Sequence, residues 1–233
     1  MLGISPTDRV FILTGAGVSE ESGIPTFRGV SGLWRNYRIE EVASPQAWRR
    51  DPGLVWEFYS MRRLVASSAK PNSAHFALAK LEQTLQERLS LCTQNVDNLH
   101  EQAGSRGVIH MHGELFKSRC DACCRMPFQD SNLYEPPRKL PRCECGGQIR
   151  PHICWFGEVP FALNRIYEAL DSCTLFIAVG TSGVVEPAAS FVAHVNHRAR
   201  TIYVGPEEPA NASSFAECHL GKAGMALPAL LSA

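Results

Sequence analysis

What this chain lacks narrows it first. Its 233 residues contain no run of about 18 apolar residues, the length that a membrane-crossing helix requires. Met1 to Asp8 carries no basic stretch followed by an apolar one, so no secretory signal is expected. Net charge is absent too: 23 Lys and Arg balance 23 Asp and Glu, which argues against a broad electrostatic nucleic-acid surface. Nor is there an even set of cysteines. Nine of them, without an export signal, point to a reducing compartment and to metal ligation before disulfides. A cytoplasmic location is the expectation. What is present, 45% hydrophobic residues, suits one compact unit with a sizeable core and room for a small insertion.

The stretch from Val10 to Trp34, VFILTGAGVSEESGIPTFRGVSGLW, organises the rest. Val10-Phe11-Ile12-Leu13 is a short apolar run, the pattern of a strand buried on both faces. Gly15-Ala16-Gly17 then permits a sharp turn and close approach of the backbone to a ligand. A strand that feeds a helix through such a turn presents free N–H groups and the positive end of a dipole, which suits pyrophosphate. Five residues separate Gly17 from Gly23, where the ordinary dinucleotide fingerprint has two. The glycines alone therefore leave a nucleotide loop and a plain tight turn equally open. The continuation, Ser22 to Gly29 with Phe27 and Arg28, reads as a loop that closes over something.

GAGVSEESGIPTFRG resembles the opening motif of the sirtuins, the NAD-dependent protein-lysine deacylases. Further motifs follow in that family's order, so the resemblance runs from Val10 to about Pro228. It implies cofactor contacts for Gly15, Ala16, Gly17, Ser19, Gly23, Thr26, Phe27, Arg28 and Trp34, with Phe27 and Arg28 closing the pocket.

Ser44-Pro45 and Asp51-Pro52 read as helix starts, the second helix running from Pro52 to about Ala69. Three apart, Tyr59 and Arg62 share one face of it. Spacing alone allows a core aromatic beside a solvated arginine, or a phenol and guanidinium that together grip a carboxylate. EFYSMRR resembles the Tyr-x-x-Arg element of the sirtuin branch that removes malonyl, succinyl or glutaryl groups, which implies the second. Asn72 caps the next helix, expected to reach about Arg88 and to bury Phe76, Leu78, Leu81 and Leu85.

Leu89 to Thr93 is a core strand whose carboxyl end delivers Gln94 to His100, where open α/β sheets hold ligands. Asn and Asp there commonly form turns. TQNVDNLH, however, resembles the family's TQN-x-D-x-LH motif, implying that Gln94, Asn95, Val96 and Asp97 meet the cofactor and that His100 is structural. A strand over Val108 to Met111 puts His110 and His112 on one side. A histidine in this setting is either hydrogen-bonded scaffold or a base with pKa near 7. HGEL resembles the family's His-Gly motif, which implies His112 as general base and leaves His110 outside.

Cys120-x-x-Cys123 and Cys143-x-Cys145 flank a charged, Pro-rich segment and form the expected thiolate site for a structural zinc. The alternative is four unrelated thiols, and Cys124 is a competitor for one ligand position. Arg119, Arg125, Arg138, Lys139 and Arg142 lie nearby with little aromatic interleaving, so nucleic-acid binding by this ribbon is not expected. RPHICWFGE resembles the family segment that pairs with an extended substrate peptide. It implies substrate contacts for Ile153, Cys154, Phe156, Gly157 and Glu158. Cys154 is either a small buried residue or an oxidisable exposed thiol.

A helix from about Phe161 to Asp171 leads to the strand Thr174 to Val179, then to GTSGVVEPA. That motif resembles the family's GTS element and implies cofactor contacts for Gly180, Thr181 and Ser182. Pro187 opens the next helix and Arg200 to Val204 forms another strand. Where the family carries Asn-x-Glu to hold the adenosine ribose, this chain has Gly205-Pro206-Glu207. Losing that Asn removes a contact worth on the order of 1 kcal/mol unless backbone or Glu207 substitutes, so weaker NAD affinity is expected. Ala223 lies where the family places a loop against adenine.

Strands alternating with helices imply a doubly wound parallel α/β sheet with a second, smaller lobe. Residues 1–43, 70–115 and 150–233 are assigned to a Rossmann-like NAD-binding domain, and 44–69 with 116–149 to a helical and zinc-binding lobe. The resemblance implies a deacylase that consumes NAD. The acyl oxygen attacks the nicotinamide ribose, and His112 then deprotonates a ribose hydroxyl that traps the acyl carbon. Asn95 and Asp97 position the ribose and a water. Acyl-lysine proteins are the implied partners of a monomer, without membrane association. Transfer of ADP-ribose to protein, and a zinc-stabilised NAD sensor without turnover, are the other two readings.

Overall fold

The computed structural model describes residues 2–26, 33–34, 37–134 and 140–231. In chain order the strands are β1 (Val10–Thr14), β2 (Leu33–Trp34), β3 (Tyr37–Arg38), β4 (Leu89–Thr93), β5 (Ile109–His110), β6 (Gly113–Cys120), β7 (Phe128–Gln129), β8 (Ile149–Ile153), β9 (Leu175–Val179), β10 (Arg200–Gly205) and β11 (Glu217–Leu220). The α-helices are α1 (Gly17–Glu20), α2 (Ile39–Val42), α3 (Pro45–Arg50), α4 (Pro52–Ser68), α5 (Ser73–Leu85), α6 (Leu99–Gln102), α7 (Leu163–Ser172), α8 (Phe191–Val195) and α9 (Ala223–Leu231). None of the described helices is long and apolar enough to cross a membrane.

Six strands form one parallel sheet in the order β11-β10-β9-β1-β4-β5. Every residue of β1 and β9 is buried, because alternate side chains feed two separate cores. Phe11, Leu13, Phe176, Ala178 and Tyr203 pack against α7 and α8. Ile12, Ile177, Val179, Ile202 and Val204 pack against α5 and α9. This is the doubly wound arrangement expected from the alternation of apolar runs and helices. From β1 the chain steps outward to β4 and β5, then returns to add β9, β10 and β11 on the other side. The winding thus reverses between β1 and β9, and open α/β sheets bind ligands at such a switch point.

A second layer centres on the antiparallel sheet β7-β6-β8. Trp48, Val55, Trp56, Phe58 and Tyr59 of α3 and α4 share one core with Leu115, Ile149, Ile153 and Trp155. Ser44 and Asp51 cap α3 and α4 as their sequence predicts, accepting from the amides of Ala47 and Leu54. Arg63 bolts α4 to the sheet. Its guanidinium donates to the carbonyls of Leu115 (2.9 Å) and Asn132 (2.7 Å) and pairs with Asp130 at 3.3 Å, both side chains 1% exposed. Removing one partner of a buried pair leaves an uncompensated charge. Arg63→Met is therefore expected to cost about 3–5 kcal/mol in urea unfolding, part of which Asp130→Leu should restore in the double variant.

Four local expectations change. Phe76 is 52% exposed, since α5 turns Ala74, His75, Leu78, Ala79 and Leu85 inward instead. That helix ends at Leu85 and gives way to a 3-10 turn over Gln86–Arg88. The strand expected over Val108 to Met111 pairs only at Ile109–His110. After Pro187 comes a 3-10 turn, and only then α8.

Candidate active site

Gly15 and Gly180 follow β1 and β9, so their loops meet at the switch point. The glycines are there to let the two loops interlock. A Cβ on Gly15 would come 2.8 Å from the Gly180 carbonyl, and one on Gly180 2.6 Å from the Val18 amide. Gly15 donates to the Val179 carbonyl and Gly17 to that of Gly180, both at 2.9 Å. Val18 and Ser19 donate back to Gly15 and Ala16. The amides of Gly15, Gly17, Val18 and Ser19 are thus engaged within the two loops, and α1 is a single turn. Phe27 and Arg28 lie outside the described residues, as does the side chain of Trp34. Gly23 has φ +84° and open space around it, and Thr26 is half-buried.

From this loop Ser19 reaches into the turn after β4. Its hydroxyl donates to Asp97 Oδ2 (3.1 Å) and accepts from Asn95 Nδ2 (3.1 Å). His75 Nε2 lies 3.5 Å away. The Asn72 amide donates to His75 Nδ1, so the ring carries its proton on Nε2 and points it at Ser19. Burial lowers the His75 pKa to about 4 and keeps the ring neutral. Sequence reasoning misses His75. The signal was available, because it occupies the third helical position after Asn72, where a capping-box side chain folds back.

Asp97 is buried and both its oxygens are used: Oδ2 by Ser19 and Oδ1 by the Leu99 amide. Burial raises its pKa, and the two hydrogen bonds oppose that shift. The carboxylate therefore anchors the loop that carries Asn95. Val96 likewise turns its side chain into the second-layer core. Gln94 ties this turn to the other loop, its Nε2 donating to Thr181 Oγ1 at 3.0 Å. Thr14, Thr93 and His100 bond one another beneath the turn, so His100 is structural as expected.

Two imidazoles hang from successive carbonyls of that turn. His112 Nδ1 is 3.0 Å from the Gln94 oxygen, and His110 Nδ1 is 3.3 Å from that of Asn95. A carbonyl only accepts, so His112 carries its proton on Nδ1 and presents Nε2 as a basic lone pair. Burial lowers its pKa, which keeps that lone pair free at neutral pH. Burial opposes charge on His110 as well, but its 2.8 Å bond to Glu101 outweighs it and raises the pKa. His110, outside the motif that the sequence singles out, thus braces Asn95. Gly113 next to His112 has φ +86°, and any Cβ there would overlap the His152 carbonyl.

On α4, Tyr59 is 1% exposed and accepts from Trp155 Nε1 at 3.0 Å. The Arg62 guanidinium lies 5.6 Å from the Tyr59 ring centre, in reach of the Asp97 charge. Phe156 is 55% exposed beside Gly157, which has φ +88°. Ile153 and Glu158, implied as substrate contacts by a segment that pairs through its backbone, have their side chains committed elsewhere. The Ile153 side chain is buried in the core, and Glu158 forms a bidentate pair with Arg150 (2.7 and 3.0 Å) while accepting from the Trp155 amide. Although burial pushes the Glu158 carboxyl up, Arg150 and that amide outweigh it and hold it below the usual range. Cys154 is half-buried, its thiol pushed up to about 11 mainly by burial, which makes it the inert alternative. Glu207 is exposed, and the side chain of Ala223 packs in the α5 and α9 core.

The sulfurs of Cys120, Cys123, Cys143 and Cys145 lie within 4.8 Å of one another. Two of the separations, 3.6 Å and 3.8 Å, match the edge of about 3.8 Å that four Zn–S bonds of ~2.3 Å define. The donor set fits a closed, structural zinc site, and Cys124 is not in the cluster.

Comparison with known proteins agrees with this geometry. The Sir2 family profile matches residues 15–187. An NAD-dependent protein deacylase of Vibrio cholerae serotype O1 is 49% identical over 232 residues, covering 97% of this chain and 93% of that one. A Sir2 homologue solved with NAD superposes with a TM-score of 0.88 at 43% identity, over 97% of this chain and 89% of that one. A triple variant of a Sir2 homologue solved with 2'-O-acetyl ADP-ribose superposes with a TM-score of 0.87 at 43% identity, over 95% and 90% of the two chains. With interlocked glycine loops at the switch point, an imidazole base beside them and a four-cysteine ribbon in the second layer, the chain belongs to the Sir2 family.

Proposed function

We propose that this chain is an NAD-dependent protein-lysine deacylase that accepts acidic acyl groups as well as acetyl. The observation that carries the reading is the convergence of His112, Asn95 and the Ser19–Asp97 pair on the turn after β4. Small-residue loops at a switch point, with the hydroxyls of Thr181 and Ser182 and the amides of Gln94 and Asn95, are a donor set that suits a dinucleotide. NAD supplies a ribose carbon from which nicotinamide departs when the acyl oxygen attacks. His112 Nε2 takes the ribose hydroxyl proton, because Nδ1 is held on Gln94. Asn95 orients the ribose, while Ser19, Asp97, His75 and His110 hold Asn95 in place. Gly15, Ala16, Gly17, Gly180 and Gly205 contribute backbone, and Phe156 with Gly157 flanks the acyl-lysine peptide. Tyr59 and Arg62 meet the distal carboxylate of an acidic acyl group.

The same reading divides the chain into an NAD-binding domain (1–43, 70–115, 150–233) and a smaller lobe (44–69, 116–149). None of the nine cysteines is in a disulfide and four of them form the thiolate cluster, which fits the reducing, cytoplasmic setting of this reading. The reading takes the chain as a monomer.

The test is to incubate the protein with NAD and matched acetyl- and succinyl-lysine peptides, followed by mass spectrometry. Equal amounts of free-lysine peptide, nicotinamide and O-acyl-ADP-ribose are expected from both. Nicotinamide release that ignores the peptide, or ADP-ribose left on the peptide, would overturn the reading.

A further inference from the structure

Gly205-Pro206-Glu207, where the resemblance leads one to expect Asn-x-Glu, has a physical explanation two residues earlier. Tyr203 lies on β10 with its ring in the α7 and α8 core, fully buried, 5.7 Å from the ring of Phe215. Its hydroxyl donates to the Thr181 carbonyl at 3.2 Å. Alternation brings Gly205 to the same side of the strand. A Cβ there would overlap the phenol oxygen and come 2.6 Å from the ring carbon that bears it. Gly205 does not have a left-handed backbone, so space alone demands glycine. Tyrosine at 203 and a side chain at 205 exclude each other.

The loop that Tyr203 reaches is the one interlocked with Gly15 and Gly17. The Gly180 amide donates to Val204, the Thr181 hydroxyl accepts from Gln94, and the Ser182 carbonyl accepts from the Ala210 amide. Tyr203 supplies the bond to the Thr181 carbonyl, from inside the core. Resting on the NAD reading above, we propose that Tyr203 is a positioning residue for the cofactor. Its phenol fixes the Gly180–Ser182 loop from beneath, in place of the side chain that the resemblance would put at position 205. The weaker NAD affinity expected from the loss at 205 is thereby offset through the loop.

Calorimetry with ADP-ribose, with steady-state kinetics alongside, tests the exchange. Tyr203→Phe removes one oxygen and keeps the ring. It is expected to raise the Kd for ADP-ribose and the KM for NAD about fivefold, the factor one net hydrogen bond commands. The peptide KM, and kcat at saturating NAD, should move less than about twofold, a split that general loosening would not produce. Gly205→Asn alone should lose ADP-ribose binding through overlap with the phenol, and Tyr203→Val with Gly205→Asn should regain it. An unchanged Kd in Tyr203→Phe, equal rises in both KM values, or tight binding by Gly205→Asn alone would overturn the proposal. A parent protein that fails to bind ADP-ribose would instead sink the NAD reading itself.

Discussion

His112→Ala should lower kcat/KM for deacylation by about 10²–10⁴-fold, the usual contribution of a positioned general base. Its Nδ1–H is spent on the Gln94 carbonyl, so only Nε2 can take a proton. Nicotinamide exchange precedes that transfer in the proposed sequence and should fall less than product formation. The pH profile supplies an independent reading. Burial holds the folded pKa of His112 below its ordinary 6.5. The base is therefore already free at neutral pH, and the acid limb of kcat/KM should lie below the pH at which a solvated imidazole titrates. An acid limb above that value, or equal losses in exchange and deacylation, would assign the proton transfer to another group.

Arg62→Met should cut kcat/KM on succinyl-lysine by about 10²-fold while leaving deacetylation nearly unchanged, because a bidentate charged contact is worth roughly 3 kcal/mol. Two features of α4 favour this outcome. Tyr59 accepts from the Trp155 indole, so its own proton remains to be donated. Arg62 keeps its charge although burial lowers its pKa, since guanidinium does not deprotonate in proteins. Losses of equal size on acetyl and succinyl peptides would show that Arg62 only packs. Its neighbour Arg63 makes the contrast instructive, because the same substitution there should unfold the lobe rather than change selectivity.

Residues whose chemistry depends on local spacing were legible before any coordinates. Leu89 to Thr93 reads as a strand because its apolar run is bounded and short, and the thiolate cluster reads as one because its two pairs sit in tight turns. The partners of Glu158 and Asp97 were not legible. Which way a carboxylate faces depends on partners that no helix or strand period pairs with it, Arg150 across an eight-residue turn in one case and Ser19, 78 positions away, in the other. The same holds for Phe76, whose place on the α5 stripe is set by which face meets the sheet and not by periodicity alone. Gly205 is the sharpest instance. Taken by itself it looks like a lost contact, and only the Tyr203 phenol reveals it as a vacancy that packing requires.

The link from β5 to β6 is only two residues long, and His112 occupies it. The chain crosses between the two sheets again at Cys154, whose amide bonds the His112 carbonyl. Two crossings fastened together by that bond tie the backbone of His112 to both sheets at once, so its place is set by the junction itself and not by either layer alone.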